Sequence, residues 1–268
     1  MATIATPQTS FGPLSGFPNV LRSEFCKLRS VRSTFWTLLA AVVSNVALAA
    51  LGAILIPGAL SAQEKATLDV TRLSLAGLHL SQIALGVLGV LVITSEYGTG
   101  MIRATLSAVP RRRLVLAAKA SVFAATALVV GISSSFAAWF VFQAFLSDDS
   151  LRSAVGDPGV ARAVTGGGLY LAVLGLLGLG LGAIIRAGAG AIAALFGLLF
   201  VPPLLLQLLP QSWQTTVGPY TPMEAGSQIF IVRPHEVSLA PWTGFGLFCL
   251  YAAVALGIGL WLINHRDA

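Results

Sequence analysis

The residues able to do chemistry are few and scattered. His235 and Glu236 open the stretch "HEVSL" at 235–239, but the second histidine of a helical zinc site is missing. Asp157 in "AVGDP" stands outside any apolar run, and no apolar run holds a partner aspartate for it. The Gly-x-Ser-x-Gly of a nucleophile elbow does not occur. A phosphate-binding loop ends in Gly-Lys-Ser/Thr, whereas the three lysines here are followed by Leu28, Ala66 and Ala120. Cys26 and Cys249 lack metal-site spacing and are not expected to pair. The apolar runs also lack the ladder of acids that carries protons or sodium. What remains is electrostatic. "SEYGTGMIRATLSAVPRRRLVLAAK", residues 95–119, packs Glu96, Arg103, Arg111, Arg112, Arg113 and Lys119 between two apolar runs.

The elements that must position this stretch follow from composition. The chain has 268 residues, 56% hydrophobic and 10% charged, with a mean hydropathy of +0.86. A soluble domain carries about 25% charged residues, so this chain reads as an integral membrane protein. Six apolar runs are long enough to cross a bilayer as helices, at about 36–56, 75–95, 120–142, 167–185, 188–209 and 243–263. Continuous runs favour helices over the short alternating segments of a barrel. The expected fold is an all-α integral membrane protein with six transmembrane helices. Residues 1–19 read as a flexible N-terminus, and 20–268 as one six-helix domain. The N-terminus has no basic start followed by an apolar core, so no cleavable signal is expected.

Basic residues set the orientation. Counting alternate non-membrane segments, one set holds Arg22, Lys27, Arg29, Arg32, Arg103, Arg111, Arg112, Arg113, Lys119, Arg186 and Arg266, eleven of the sixteen Lys and Arg. The other set holds Lys65, Arg72, Arg152, Arg162 and Arg233 beside seven acids. Cytoplasmic segments carry the basic excess. Both termini and the stretch 95–119 are therefore expected inside a cell membrane. The net charge of +6 is then a matter of topology, and no nucleic-acid partner is expected. Trp36 and Trp261 fall at inner ends of runs, and Trp139 and Trp242 at outer ends, as interfacial rings do.

Individual segments carry further expectations. "NVLRSEFCKLRSVRSTFW" spaces Leu21, Phe25, Leu28 and Phe35 like one face of a helix, with Arg22, Lys27, Arg29 and Arg32 mostly elsewhere. That is an amphipathic helix lying on the inner membrane surface, and Glu24 belongs to its polar set. After Gly98 a short helix is expected, with Met101, Ile102, Thr105 and Leu106 on its apolar face and Pro110 ending it. Gly98 and Gly100 permit a sharp change of direction. The three arginines sit at the level of phosphate head groups, facing lipid. Gly175, Gly178, Gly180 and Gly182 in the fourth run permit close helix packing. Pro202 and Pro203 interrupt the fifth run. The serines of "GISSSF" are expected to bond to their own helix. The outer segment 210–242, with Tyr220, Met223, Ile229 and Phe230, is half polar and suited to dip back into the bilayer rim.

"LRSEFCKLRSVRSTFWTLLA", "SEYGTGMIRATLSAVPRRRLVLAAK" and the final "WLINHRDA" resemble the permease subunit of an ATP-binding-cassette exporter of the type-2 family, as found in actinobacteria. The six-run layout with inner termini fits that family, and the outer segment resembles its re-entrant hairpin. The resemblance implies a pathway formed by two permeases, identical or not, driven by separate cytosolic ATPase subunits that bind ATP and Mg; this chain itself would hold no cofactor. It implies that the N-terminal helix is a connecting helix. It implies that Glu96 to about Leu106 is a coupling helix, with Glu96, Tyr97, Gly98, Gly100, Ile102 and Arg103 as partner-coupling residues. Glu96 is expected to pair with a basic residue, such as one in the N-terminal helix. Ser81, Gln82, Thr94 and Gln207, on the second and fifth runs, would line a path for hydrophobic or amphipathic cargo such as a drug or lipid, a multidrug-efflux role. The rival readings are an intramembrane enzyme and a non-transporting anchor of a partner complex.

The charge asymmetry predicts a labelling pattern. In a cysteine-free background, a membrane-impermeant thiol reagent applied from outside reaches a cysteine at Ser150 and misses one at Ser107. The reverse pattern overturns the map.

Overall fold

A computed structural model describes residues 16–265, apart from 57, 59, 60, 110 and 234–236. Most of the flexible stretch expected at 1–19, the Pro110 break, His235, Glu236 and Arg266 lie outside the described residues. The chain forms helices α1 (Phe17–Ser30), α2 (Arg32–Leu55), α3 (Ala62–Thr67), α4 (Val70–Ser74), α5 (Leu78–Gly98) and α6 (Met101–Ala108). It continues with α7 (Arg112–Phe145), α8 (Val160–Ile185), α9 (Gly188–Leu206), α10 (Gln211–Val217), α11 (Pro222–Ser227) and α12 (Pro241–His265). There is no strand among the described residues. Six helices are long and apolar enough to cross a membrane: α2, α5, α7, α8, α9 and α12. They coincide with the six runs read from the sequence, and the chain is a multi-pass membrane protein by that measure.

The boundaries differ in informative places. α7 has 34 residues, about 51 Å at 1.5 Å per residue. A bilayer core is about 30 Å thick, so α7 carries its first turns, including Lys119, beyond what hydropathy alone assigns to a span. The fourth and fifth spans are divided by only Arg186 and Ala187. Arg186 closes α8 with φ of 62°, the left-handed position that usually ends a helix at glycine. α9 runs through Pro202 and Pro203 and stops at Leu206, short of the expected 209.

α8 is the hub, packed against α5, α7, α9 and α12. Small residues let it approach them. A Cβ added at Gly89 of α5 would overlap the carbonyl oxygen of Gly175, and one at Gly168 would overlap the backbone of Ile132 on α7. Lipid is as apolar as leucine, so helices in a bilayer gain little from burying apolar area against each other; close van der Waals contact takes over. The glycine pattern of the fourth run therefore acts in packing inside this chain. Around it Leu171, Leu174, Leu177 and Leu179 are fully buried. Tyr170 stacks on Phe248 and meets Phe230 edge-on, both at 5.3 Å between centroids. Its hydroxyl donates to Gln82 Oε1 at 2.5 Å.

At one end of the bundle the loops are latched. Asp69 Oδ1 accepts from the Arg72 amide at 2.9 Å, and Oδ2 accepts from the amides of Val232 and Arg233, each at 2.8 Å. Arg162 donates to the carbonyls of Ile229 and Ile231 at 2.8 and 2.9 Å. Lys65 pairs with Asp148 at 2.8 Å. These bonds hold Ala225, Ile229, Phe230 and Ile231 buried, against α8 and α12. Arg162 thus satisfies carbonyls that no helix pairs, as irregular backbone in an apolar setting requires. In α7, Ser134 does not bond to its own helix in the manner expected; it accepts from Asn45 Nδ2 of α2 at 3.0 Å.

The glycine contacts generate a controlled comparison. Gly89→Ala forces α5 and α8 apart and should cost about 1–3 kcal/mol, lowering the melting temperature in detergent. Gly197→Ala on α9, where a Cβ would meet nothing within 4 Å, should leave it unchanged or slightly raised, because alanine is the better helix former. Equal behaviour of the two variants would remove close packing as the explanation.

Candidate functional site

Opposite the latched loops, three helices meet at a buried charge cluster. Lys119 of α7 donates to Glu24 Oε2 at 2.6 Å and to Glu96 Oε1 at 2.9 Å. Lys27 of α1 donates to Glu24 Oε1 at 2.7 Å and to Glu96 Oε1 at 3.0 Å. It also reaches Thr105 Oγ1 of α6 at 3.3 Å. Glu24, Glu96 and Lys119 are buried, whereas the Lys27 side chain is 30% exposed. Two cations and two anions make a closed, neutral ring, and every member touches two of opposite sign. That pairing lets charges leave water at all: a lone buried ion costs several kcal/mol, while one paired with opposite charges is tolerated.

The local sequence explains the convergence. In α1, Val20, Glu24 and Leu28 fall one turn apart with Lys27 beside them, so one face turns to the bundle. Val20 and Glu24 are buried on that face, while Phe25 is 51% exposed. This revises the expected geometry: the helix does present two faces, but its inward face carries the ion pair and Phe25 points away. A single extended residue, Val31, separates α1 from α2. α5 ends two residues past Glu96, and Gly100, with φ of 72°, turns the chain into α6. That φ is strained for any residue with a Cβ.

Burial alone would lower the affinity of the Lys27 ammonium for its proton, but the hydrogen bonds and charges of Glu24 and Glu96 outweigh it. They hold its pKa above the ordinary lysine value. A raised lysine pKa contributes stability that is complete at neutral pH and lost only as pH rises through that raised value. The ring therefore stays charged throughout the physiological range as far as Lys27 is concerned.

The expected coupling residues separate into groups. Glu96 joins the ring. Tyr97 lies under the Arg186 guanidinium, 5.0 Å from its ring centroid. Gly98 and Gly100 form the turn, Ile102 is buried as the anchor of α6, and Arg103 is exposed. Of the interfacial set, Glu24 and Lys27 converge, while Arg22, Arg29 and Arg32 point outward. The pairing of Glu96 with the N-terminal helix occurs as expected, through Lys27. Lys119 as the hub was missed, although its signal was present: a lysine flanked by "LVLAA" and "ASVFAA" lies in an apolar run and needs a counter-ion. Two expectations fail. Arg112 is not a lipid-facing copy of its neighbours, because Nη1 donates to the carbonyl of Ile263 at 2.8 Å, tying α7 to the end of α12. Ser81, Gln82 and Thr94 do not line an open path. All three are buried and bonded inside the chain, Ser81 to the Ala41 carbonyl at 2.7 Å and Thr94 to that of Val90 at 3.0 Å. Gln207 alone of that set is exposed.

A scan against protein-family models and a search of curated proteins found no match to this chain.

Removing one member of the ring should expose its dependence on pairing. Lys119→Met leaves two buried carboxylates facing each other with one cation, and should cost about 3–5 kcal/mol. Lys27→Met, at the half-wet edge, should cost less. Neutralising both acids in the Lys119→Met chain (Glu24→Gln, Glu96→Gln) should recover much of the loss. Thermal unfolding in one detergent decides the order, and an additive loss across all three substitutions would sink the ring as a unit.

Proposed function

We propose that this chain is the transmembrane permease subunit of an ATP-binding-cassette exporter of the type-2 family, paired with a second permease and driven by separate cytosolic ATPase subunits. The observation that carries the reading is the ring of Glu24, Lys27, Glu96 and Lys119. It welds α1, α5 and α7 together where the short helix α6 begins, and Lys27 bonds to α6 itself. A short helix transmits force only if its base is fixed. Here the base is fixed by charges with no role in covalent chemistry, and Ile102 seats α6 against it. Met101 and Arg103 are exposed on the two flanks of Ile102, an apolar and a cationic group within reach of a protein groove that received α6.

In this reading α1 is the connecting helix on the inner membrane surface, α6 is the coupling helix, and both termini are cytoplasmic in a cell membrane. ATP and Mg bind in the partner ATPase, and the lysines of this chain carry no phosphate loop. The buried tail of the outer segment, Pro222 to Ile231, would be the re-entrant hairpin. The cargo is hydrophobic or amphipathic, a drug or lipid. With Ser81, Gln82 and Thr94 of α5 engaged internally, its path runs along apolar side chains.

The reading is tested with the purified chain in proteoliposomes, alone and with a candidate partner ATPase. Alone it should neither bind nor hydrolyse ATP; with the ATPase it should move cargo. A Met101→Ala/Arg103→Ala chain should reach wild-type membrane levels and melting temperature. It should lose export and cargo-stimulated hydrolysis together, by about tenfold, within the usual 5–150-fold range of coupling between sites. Wild-type export by that variant ends the coupling role of α6, and hydrolysis by the pure chain ends the subunit reading.

A further inference from the structure

A cavity of about 510 Å³ lies beside the ring, between α1, the first turns of α2, the end of α5 and the start of α6. Small-molecule sites commonly fall between about 300 and 1,000 Å³. Its walls are of two kinds. Leu88, Leu91 and Val92 form an apolar side; Thr34, Thr37 and Ser95 bring hydroxyls. Those three hydroxyls make no hydrogen bond among the described residues. Glu96 also lines the cavity, is 5% exposed, and leaves Oε2 buried without a partner. A buried carboxylate oxygen with no donor is costly.

The ring limits what can complete it. Two lysines and two glutamates already sum to zero. A cation arriving at Glu96 Oε2 would stand close to the ammoniums of Lys27 and Lys119, both bonded to Oε1 of the same carboxylate. An anion would meet Glu96 itself. Either leaves an uncompensated charge in a partly dry place. A neutral hydroxyl disturbs no balance: beside Glu96 it can donate to and accept from the wall hydroxyls of Thr34, Thr37 and Ser95. Leu91 is 40% exposed, so the apolar side runs out to the helix surface, where an alkyl chain would continue into lipid.

We propose that this cavity binds the uncharged, hydroxyl-bearing head of a neutral glyceride, with its acyl chain along Leu88, Leu91 and Val92. The proposal does not rest on transport, because it concerns binding by the chain alone.

The test uses the purified full chain in phosphatidylcholine nanodiscs doped with a diazirine-bearing diacylglycerol. Photolabelling should saturate and map to the peptides around Thr34–Thr37 and Leu91–Ser95. Unlabelled diacylglycerol should compete, while phosphatidic acid and an alkylammonium of equal chain length should not. Thr37→Trp and Leu91→Trp fill the cavity from opposite walls and should each cut labelling at least fivefold. Leu80→Trp, on an exposed part of α5 outside the cavity, should label as wild type. Leu91→Trp keeps the test decisive if Thr37→Trp unfolds, since position 91 already meets the surface. Labelling spread elsewhere, equal competition by either charged amphiphile, or wild-type labelling in the folded tryptophan variants would overturn the proposal. Intact labelling beside no export in the proteoliposome assay with an ATPase counts against the permease reading instead.

Discussion

The ammonium of Lys119 must find two carboxylates, and much of the geometry at its end of the chain follows from that. Lys119 projects from α7 among helices with almost no other charge, so water cannot serve it there. One acid comes from α5 and the other from α1, before the first span. To deliver Glu24, α1 must fold back onto the bundle, which is why Val31 breaks the helix where a straight continuation would carry Glu24 away. To deliver Glu96, α5 must run to its last turn and then turn sharply. Gly100 supplies that turn. Lys27 closes the ring and extends it to α6 through Thr105. Two lysines thus fix the relative positions of four helices.

The rest of the bundle coheres by a different force. α8 holds its neighbours by shape, through glycines that bring backbones into contact, and its polar groups are used up locally. The Tyr170–Gln82 bond, the Ser81–Ala41 bond and the Asn45–Ser134 bond each join two helices. Such bonds are modest singly, about 0.6 kcal/mol on average in a membrane protein, but they fix rotation. A helix that slid by one residue would lose both its glycine contact and its hydrogen bond. Shape and polar pairing therefore specify the same register.

The spans were legible in the sequence because hydropathy is a sum over about twenty residues, and no single contact changes it. The turn at Gly98–Gly100 and the pairing of Glu96 with the N-terminal helix were legible too, since each follows from a residue type with few options. Lys119 was harder. The sequence sets it at the edge of an apolar run, yet apolar residues flank it on both sides, and its partners are 23 and 95 positions away. Arg112 is hard for the opposite reason: three adjacent arginines look equivalent in sequence, but Arg111 precedes the first turn of α7 and Arg112 bonds to the carbonyl of Ile263. Ser81, Gln82 and Thr94 look like a polar stripe until the neighbouring helices arrive to use them. The inner face of α1 was hidden because apolar spacing drew attention to Phe25, whereas the buried positions are Val20 and Glu24.

The two ends of the bundle therefore differ in what they offer a partner. Exposed leucines and valines on α2 and α9 are satisfied by lipid, so in a bilayer they carry little information about binding. Charge does carry it. At the Asp69 end, Lys65, Arg162 and Asp69 are bound to groups of the same chain. At the Glu96 end the inner charges cancel in the ring, and Arg22, Arg29, Arg111 and Arg113 are exposed. A surface of arginines over a neutral, rigid base attracts anionic lipid and acidic protein surfaces at long range. Displacing α6 would break the Lys27–Thr105 bond and unseat Ile102. In the proposed permease, a push applied at this end would therefore pass into α5 and α7, which the ring joins to α1.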